Sequence, residues 1–180
     1  MGNSLLMRGI GVMFSPGKTF RDAAENHTEW HVVTLSLVFG FLLAKQIIHS
    51  ENRDLFFYVT TSLASGIGFV YFSGFFLAWL IKISGTYVAP QKMRMVLAYS
   101  LIPYIFALVL MYLSKVNILP KSALISFLLT IFSWGLAVFG VKTVAKINLA
   151  QAVFVVIIPV AALLLAISIL FKVAWMIHGV

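Results

Sequence analysis

The acidic residues of this 180-residue chain end at Asp54, and the 126 residues that follow contain no carboxylate side chain. The formal charges beyond Asp54 are eight Lys and Arg residues, set among Phe, Leu, Ile, Val and Ala. A soluble domain carries about 25% charged residues of both signs, whereas charged residues make up 10% of this chain. The pattern predicts a protein whose main solvent is lipid.

Five apolar segments are long enough to cross a bilayer as helices. Hydrophobic residues make up 62% of the sequence, and the mean hydropathy is +1.04. A helix needs roughly 20 apolar residues to span the hydrocarbon core. The sequence therefore predicts an all-α polytopic membrane protein, in which an amphipathic segment at 1–29 precedes a transmembrane bundle at 30–180. The predicted spans lie at about 30–48, 55–83, 96–113, 123–141 and 149–171.

The distribution of basic residues predicts the orientation of the bundle. If the spans alternate in direction, eight Lys and Arg fall on the side of the N-terminus and five on the other side. Excess positive charge marks the cytoplasmic side, so we expect the N-terminus in the cytoplasm and the C-terminus outside. The net charge of +8 does not indicate a nucleic-acid partner, because the basic residues stand singly between apolar segments, as membrane anchors do.

The first 29 residues predict two short helices at the membrane surface. Ser15 and Pro16 are typical of the start of the second one. Asn26 with Glu29 resembles a capping pair for the first spanning helix. The first short helix has apolar residues at helical spacing, with Arg8 among the polar positions between them, which is typical of a helix lying on the headgroups. These apolar residues are Leu6, Ile10, Met13 and Phe14.

Small and hydroxyl residues recur on one face of the second and of the fourth predicted span. In lipid, such residues let helices approach closely and hydrogen-bond across the contact. We interpret them as a helix-packing seam; the alternative is a polar path for a solute. The glycines of the second span also permit a bend. The seam residues are Gly66 and Gly74 in the second span and Ser126, Thr130 and Ser133 in the fourth.

No motif in the sequence predicts an enzyme or a cofactor. There is no cysteine, and neither a nucleophile elbow nor a phosphate-binding Gly-rich loop is present. His27 and His31 are four residues apart and are weak candidates for a metal site, although histidines at a membrane boundary more often meet headgroups or water. We expect no catalytic residue, no metal and no cofactor. An enzyme would have to use the acids and histidines that converge at the interface: Asp22, Glu25, His27, Glu29 and His31.

The segment before the first span resembles the Yip family, the Ypt/Rab-interacting membrane proteins. Phe14, Pro16 and Phe20 match the F-x-P-x-x-x-F pattern that precedes the first span in short prokaryotic members. Trp30 follows, where interfacial aromatic residues anchor a helix. The resemblance implies that these four residues form an N-terminal contact at the interface.

A second motif in the third span carries the same resemblance. Residues 97–103 read L-A-Y-S-L-I-P, similar to the family's G-Y-S-L-x-P, and the likeness depends on Tyr99, Ser100 and Pro103. The resemblance implies five spanning helices with a cytosolic N-terminus. Eukaryotic relatives bind prenylated Rab GTPases and shape Golgi and ER membranes. The D-L-Y-G-P segment that precedes their first span is absent here, so the chain is similar to short members of bacterial or archaeal cytoplasmic membranes.

The sequence supports two main hypotheses for function. The first is a non-enzymatic membrane scaffold or adaptor, whose partners are the lipid bilayer and another membrane protein or a second copy. Its contact surface would be the N-terminal segment with the loops around Lys92 and Arg94 and around Lys142 and Lys146. The alternative is a small transporter, channel or lipid-handling protein with a cavity between the second, third and fourth spans.

Overall fold

The computed structural model describes residues 4–26, 28–47, 55–116, 118 and 123–158, and within these ranges every regular element is a helix. The helices are α1 (Leu5–Phe14), α2 (Pro16–Glu25), α3 (Glu29–Ile47), α4 (Leu55–Ile83), α5 (Pro90–Lys115), α6 (Ala123–Ala145) and α7 (Leu149–Ile158). The all-α prediction is confirmed for this part of the chain.

Three of these helices, α4, α5 and α6, are long and apolar enough to cross a membrane. α4 has the predicted bounds of the second span, whereas α5 begins at Pro90 instead of 96 and α6 continues to Ala145 instead of 141. α3 corresponds to the first predicted span. α7 begins at the predicted 149, but residues 159–171 of that span lie outside the described residues. A bundle of five spans therefore stays a prediction.

The early start of α5 changes the surroundings of two basic residues. Proline suits the first helical position because an N–H group there would have no helical partner. Lys92 and Arg94 consequently belong to the first turns of a helix, and the prediction that they lie in a loop is wrong. Lys92 is exposed, but Arg94 is half-buried and its backbone lies against Gly74 of α4.

The first half of α5 lies at the centre of the molecule. Six consecutive residues, 95–100, are buried. Successive residues of an α-helix point in different directions around its axis, so neighbours cover this stretch on all sides. Those neighbours are α1, α2, α3, α4 and α6.

The outward-facing side chains of the long helices are apolar. Phe72 is 72% exposed, Phe75 61%, Leu124 70% and Phe127 61%. A soluble monomer rarely exposes a contiguous apolar surface of this kind, whereas the hydrocarbon of a bilayer solvates it. The outer surface is thus suited to lipid.

α3 and α4 cross where two glycines meet. A Cβ atom added to Gly40 would lie 2.8 Å from the Cα atom of Gly66, and one added to Gly66 would collide with the carbonyl oxygen of Ser36. Such a close crossing requires residues without side chains. Gly66 lies in a π-helical turn at Ala64–Gly68. The glycine-rich part of α4, whose sequence permits a bend, therefore holds a local widening of the helix.

We predict that Gly66→Ala lowers the free energy of unfolding by about 1–3 kcal/mol, the usual cost of adding volume to a packed contact. Gly135→Ala in α6 is the matched control, because a Cβ atom there would meet no atom within 4 Å. The control should be neutral or stabilising by up to about 1 kcal/mol. Thermal unfolding of both variants in one detergent measures the difference, and equal midpoints would contradict the close crossing.

Candidate functional site

The aromatic side chain of Phe20 packs α2 against the bundle. Phe20 is 1% exposed, and its ring occupies the space beside Gly140 of α6, where an added Cβ atom would lie 3.0 Å from the ring. That Cβ atom would also lie 2.7 Å from a methyl group of Val96, so α2, α5 and α6 meet at this point. Pro16 is half-buried at the start of α2, and Trp30 is 72% exposed at the start of α3.

α1 buries Arg8 together with Gly11 and Val12 and directs four large apolar side chains outward. Arg8, expected at the polar face of a surface helix, is 1% exposed, and its Nε lies 3.4 Å from Oδ2 of Asp22 on α2. It faces inward because α2 supplies the carboxylate that a buried guanidinium requires. The outward side chains of α1 are Leu6 (76% exposed), Met7 (62%), Ile10 (56%) and Phe14 (82%).

Tyr99 joins this ion pair to α3. The Tyr99 hydroxyl lies 2.7 Å from Nδ1 of His31, and the two rings meet edge to face with their centroids 6.3 Å apart. Both side chains are buried. The Arg8 guanidinium lies close enough to interact with the Tyr99 hydroxyl and with His31. Arg8, Asp22, His31 and Tyr99 therefore form one group, the inner polar cluster, which connects α1, α2, α3 and α5.

The rest of the 97–103 motif connects α5 to α6. Pro103 has no N–H group to donate, and the helical pattern of α5 is interrupted at Leu101. Ser133 of α6 donates a hydrogen bond to the carbonyl oxygen of Ser100 at 2.5 Å. The Ser100 hydroxyl donates to the Leu97 carbonyl of its own helix at 2.8 Å. The motif thus lies at a junction of α3, α5 and α6.

A second group of polar side chains, the outer polar cluster, consists of Glu29, Tyr71 and Arg94. The Tyr71 hydroxyl donates to Oε1 of Glu29 at 2.7 Å, and Nη2 of Arg94 lies 3.3 Å from the same oxygen. The Arg94 guanidinium stacks 4.4 Å above the Tyr71 ring centroid.

The predicted capping pair of Asn26 and Glu29 is wrong, because Asn26 ends α2 and donates to Asp22 instead.

The seam residues of α6 face neighbouring helices, and two of them also border a cavity. Ser126 is 1% exposed, Ser133 is 6% exposed, and the half-buried Thr130 donates to the Ser126 carbonyl of its own helix at 2.8 Å. Thr130 and Ser133 border a cavity of about 250 Å³ between α3, α4, α5 and α6. The seam residues of α4 lie elsewhere, at the contacts with Gly40 and Arg94. The largest side chains of the cavity wall are Phe39, Phe69, Tyr104 and Trp134.

The candidate residues for a metal site or for catalysis do not all lie together in the structure. His31 belongs to the inner polar cluster, whereas His27 lies outside the described residues. Within the described ranges, no group of three or more His, Asp or Glu is placed to hold a metal ion. Glu25 is exposed. Asp22 and Glu29 each face an arginine, so the chemistry that this arrangement supports is charge pairing between helices.

The sequence indicated that Asp22, Glu29 and His31 converge, but the arginines that pair with the two acids were not predicted. The position of Arg8 inside an apolar helix could have predicted that it pairs with an acid, because a guanidinium next to lipid needs a partner. The sequence did not indicate a partner for Arg94, because a basic residue in the expected loop would be solvated by water.

Comparison with known proteins identifies one family for most of the chain. The model of the Yip1 domain family matches residues 10–170. This range contains the second half of α1, the whole of α2 to α7, and therefore all but Arg8 of the two polar clusters. No curated protein and no solved structure matches the chain.

We predict that Arg8→Leu loosens α1 and α2 from the bundle, because Asp22 would lose the cation that faces it. Removal of one partner of a buried pair costs about 3–5 kcal/mol, and we expect about 1–3 kcal/mol here because Asp22 is 25% exposed and partly screened. The chain has no native cysteine. Ala23→Cys, at a position 1% exposed, should react faster with a maleimide in the Arg8→Leu background.

Arg21→Leu is the matched control, because Arg21 is an exposed arginine on α2. It should leave the labelling of Ala23→Cys slow. If Arg8→Leu leaves the labelling equally slow, the ion pair does not hold these helices in place.

Proposed function

Because the chain belongs to the Yip1 domain family of membrane proteins, we propose that it is a non-enzymatic scaffold or adaptor for another membrane protein or for a second copy of itself. The observation that carries this proposal is the inner polar cluster, which anchors α1 through Arg8 while large apolar side chains of the same helix face outward. Leu6, Ile10 and Phe14 then form a fixed apolar ridge. A preformed surface binds at a smaller entropic cost than a mobile segment does.

Basic residues extend this contact surface. Lys92 and Lys146 are exposed, and Lys142 is half-buried near the end of α6. These lysines and the ridge replace the surface expected from sequence, since Arg94 is engaged in the outer polar cluster. A partner that covers the surface would need apolar side chains for the ridge and acidic groups for the lysines.

For the orientation, we propose five spans with the N-terminus in the cytoplasm and the C-terminus outside, in a bacterial or archaeal cytoplasmic membrane. Glu29 at the start of α3 contacts Arg94 near the start of α5, and Phe20 contacts Gly140 near the end of α6. These three helix ends therefore lie on the side of α1 and α2. The excess of Lys and Arg on that side supports its assignment as cytoplasmic.

A lipid-handling role is the second candidate, and the cavity beside Thr130 favours it. The cavity of about 250 Å³ adjoins a groove of about 550 Å³ on α4, and the two share Phe39, Phe69 and Trp134 as walls. Apolar walls suit an acyl chain better than an ion. The hydroxyls of Thr130 and Ser133 already donate to carbonyl oxygens, which counts against a polar path for a transporter or channel.

We predict that a photoreactive amino acid at Phe14 forms one discrete protein adduct in membranes, because the ridge faces the partner. The matched control is the same substitution at Phe127, which is 61% exposed on the outer side of α6 and should react with lipid. The adduct at Phe14 should decrease in the Arg8→Leu background. Identical protein adducts at both positions would contradict a specific contact at the ridge.

The orientation is tested by single cysteines in this cysteine-free chain. Lys115→Cys lies at the end of α5 and Asn148→Cys precedes α7, and both positions are exposed. In intact cells a membrane-impermeant maleimide should label Lys115→Cys, while Asn148→Cys should react after permeabilisation. The reverse pattern would contradict the proposed orientation.

The lipid-handling alternative predicts that the reconstituted protein exchanges fluorescent phospholipids between leaflets, and that Ala137→Leu slows the exchange by filling the cavity that Ala137 lines. Gly135→Ala is the control, because a Cβ atom there meets no neighbour. The rate is measured by dithionite quenching. If Ala137→Leu and the empty vesicles give the same rates as the unmodified protein, the cavity has no such role.

A further inference from the structure

A small pocket outside both polar clusters lies where α4 ends and the chain turns toward α5. Its volume is about 200 Å³, and it is lined by Phe75, Ala78, Trp79, Lys82, Tyr87, Val88 and Pro90. Phe75 is 61% exposed, Trp79 49% and Tyr87 77%. The pocket is therefore open toward the lipid that surrounds the bundle.

The polarity of this pocket changes along the helix axis. Phe75 and Lys82 are seven positions apart on α4, which corresponds to about 10 Å along an α-helix. Because α4 ends at Ile83, the ring of Phe75 belongs to the deeper part and the ammonium group of Lys82 to the end of the span. Trp79 lies between them, and an indole ring is favoured at the boundary between acyl chains and headgroups. The order of apolar and cationic groups matches that of an anionic phospholipid from tail to head.

Basic residues outnumber acidic residues on this side of the molecule. Eight Lys and Arg are assigned to it but only three acids, Asp22, Glu25 and Glu29. Asp22 faces Arg8 and Glu29 faces Arg94. Within the described ranges, no carboxylate lies at ion-pair distance from Lys82. An external anion is thus the natural partner for this ammonium group.

We propose that the pocket binds the phosphate group of an anionic phospholipid. The Lys82 ammonium group pairs with a phosphate oxygen, and the Tyr87 hydroxyl donates a second hydrogen bond to the headgroup. Trp79 and Phe75 contact the glycerol backbone and the first methylenes of an acyl chain. The site goes beyond the scaffold role and is independent of the cavity between α3 and α6, with which it shares no wall.

The test is native mass spectrometry of the full chain released from detergent with added phosphatidylglycerol or phosphatidylcholine. We expect phosphatidylglycerol to be retained more strongly, and Lys82→Gln to weaken its retention by about tenfold, the typical effect of losing a hydrogen bond to a charged group. Tyr87→Phe should cause a smaller loss, and Lys82→Arg should retain most of the binding. The matched control is Lys92→Gln, an exposed lysine on the same side that does not border the pocket.

Three results would overturn the assignment. Equal losses with Lys92→Gln and Lys82→Gln would indicate diffuse attraction to basic residues. Displacement of the lipid by an excess of inorganic phosphate would identify a site for free phosphate. Equal retention of both lipids would contradict a preference for an anionic headgroup, since phosphatidylcholine carries the same phosphate but no net charge. Lys82 is exposed, so unchanged circular dichroism of Lys82→Gln separates lost binding from lost folding, and photo-crosslinking at Phe14 tests the scaffold role separately.

Discussion

The burial of Arg8 is the constraint on which the arrangement of the N-terminal helices depends. A guanidinium withdrawn from water needs a carboxylate and further polar neighbours, and Asp22 on α2 is the carboxylate that faces it. The ion pair brings α1 and α2 together as a hairpin against the bundle. Tyr99 lies beside the pair and reaches His31 on α3, so four helices share one set of polar contacts.

The central position of α5 explains why its motif combines a tyrosine, a serine and a proline. The Tyr99 hydroxyl is directed toward α3, while the Ser100 carbonyl accepts from Ser133 on α6. Pro103 interrupts the regular hydrogen bonds of the helix just beyond this carbonyl. The family resemblance did not indicate which contacts this motif makes, and the structure places it where α3, α5 and α6 meet in a Yip1 domain.

The long helices were predictable because their length in apolar residues is set by the bilayer. The bounds of α4 and the starts of α6 and α7 agree with the sequence prediction. The start of α5 differs from the sequence prediction, because Lys92 and Arg94 are typical of a loop unless a neighbouring helix covers them. Arg94 enters a helix since Gly74 leaves room for its backbone and Glu29 neutralises its charge, and both partners are distant in sequence. The sequence indicated that Asp22 and Glu29 belong to the site, but it did not indicate that Arg8 and Arg94 pair with them.

The sequence by itself determined the solvent of this protein, its helical class and its family, because apolar length, charge distribution and short motifs are local properties of the chain. Only the tertiary structure decided which charges are paired. Arg8 and Arg94 are equivalent to the other basic residues in a count of charge, yet each faces a carboxylate, while Lys82 borders an open pocket at the membrane. Pairing depends on distances between helices, and the packing of α2, α4 and α6 around α5 sets those distances.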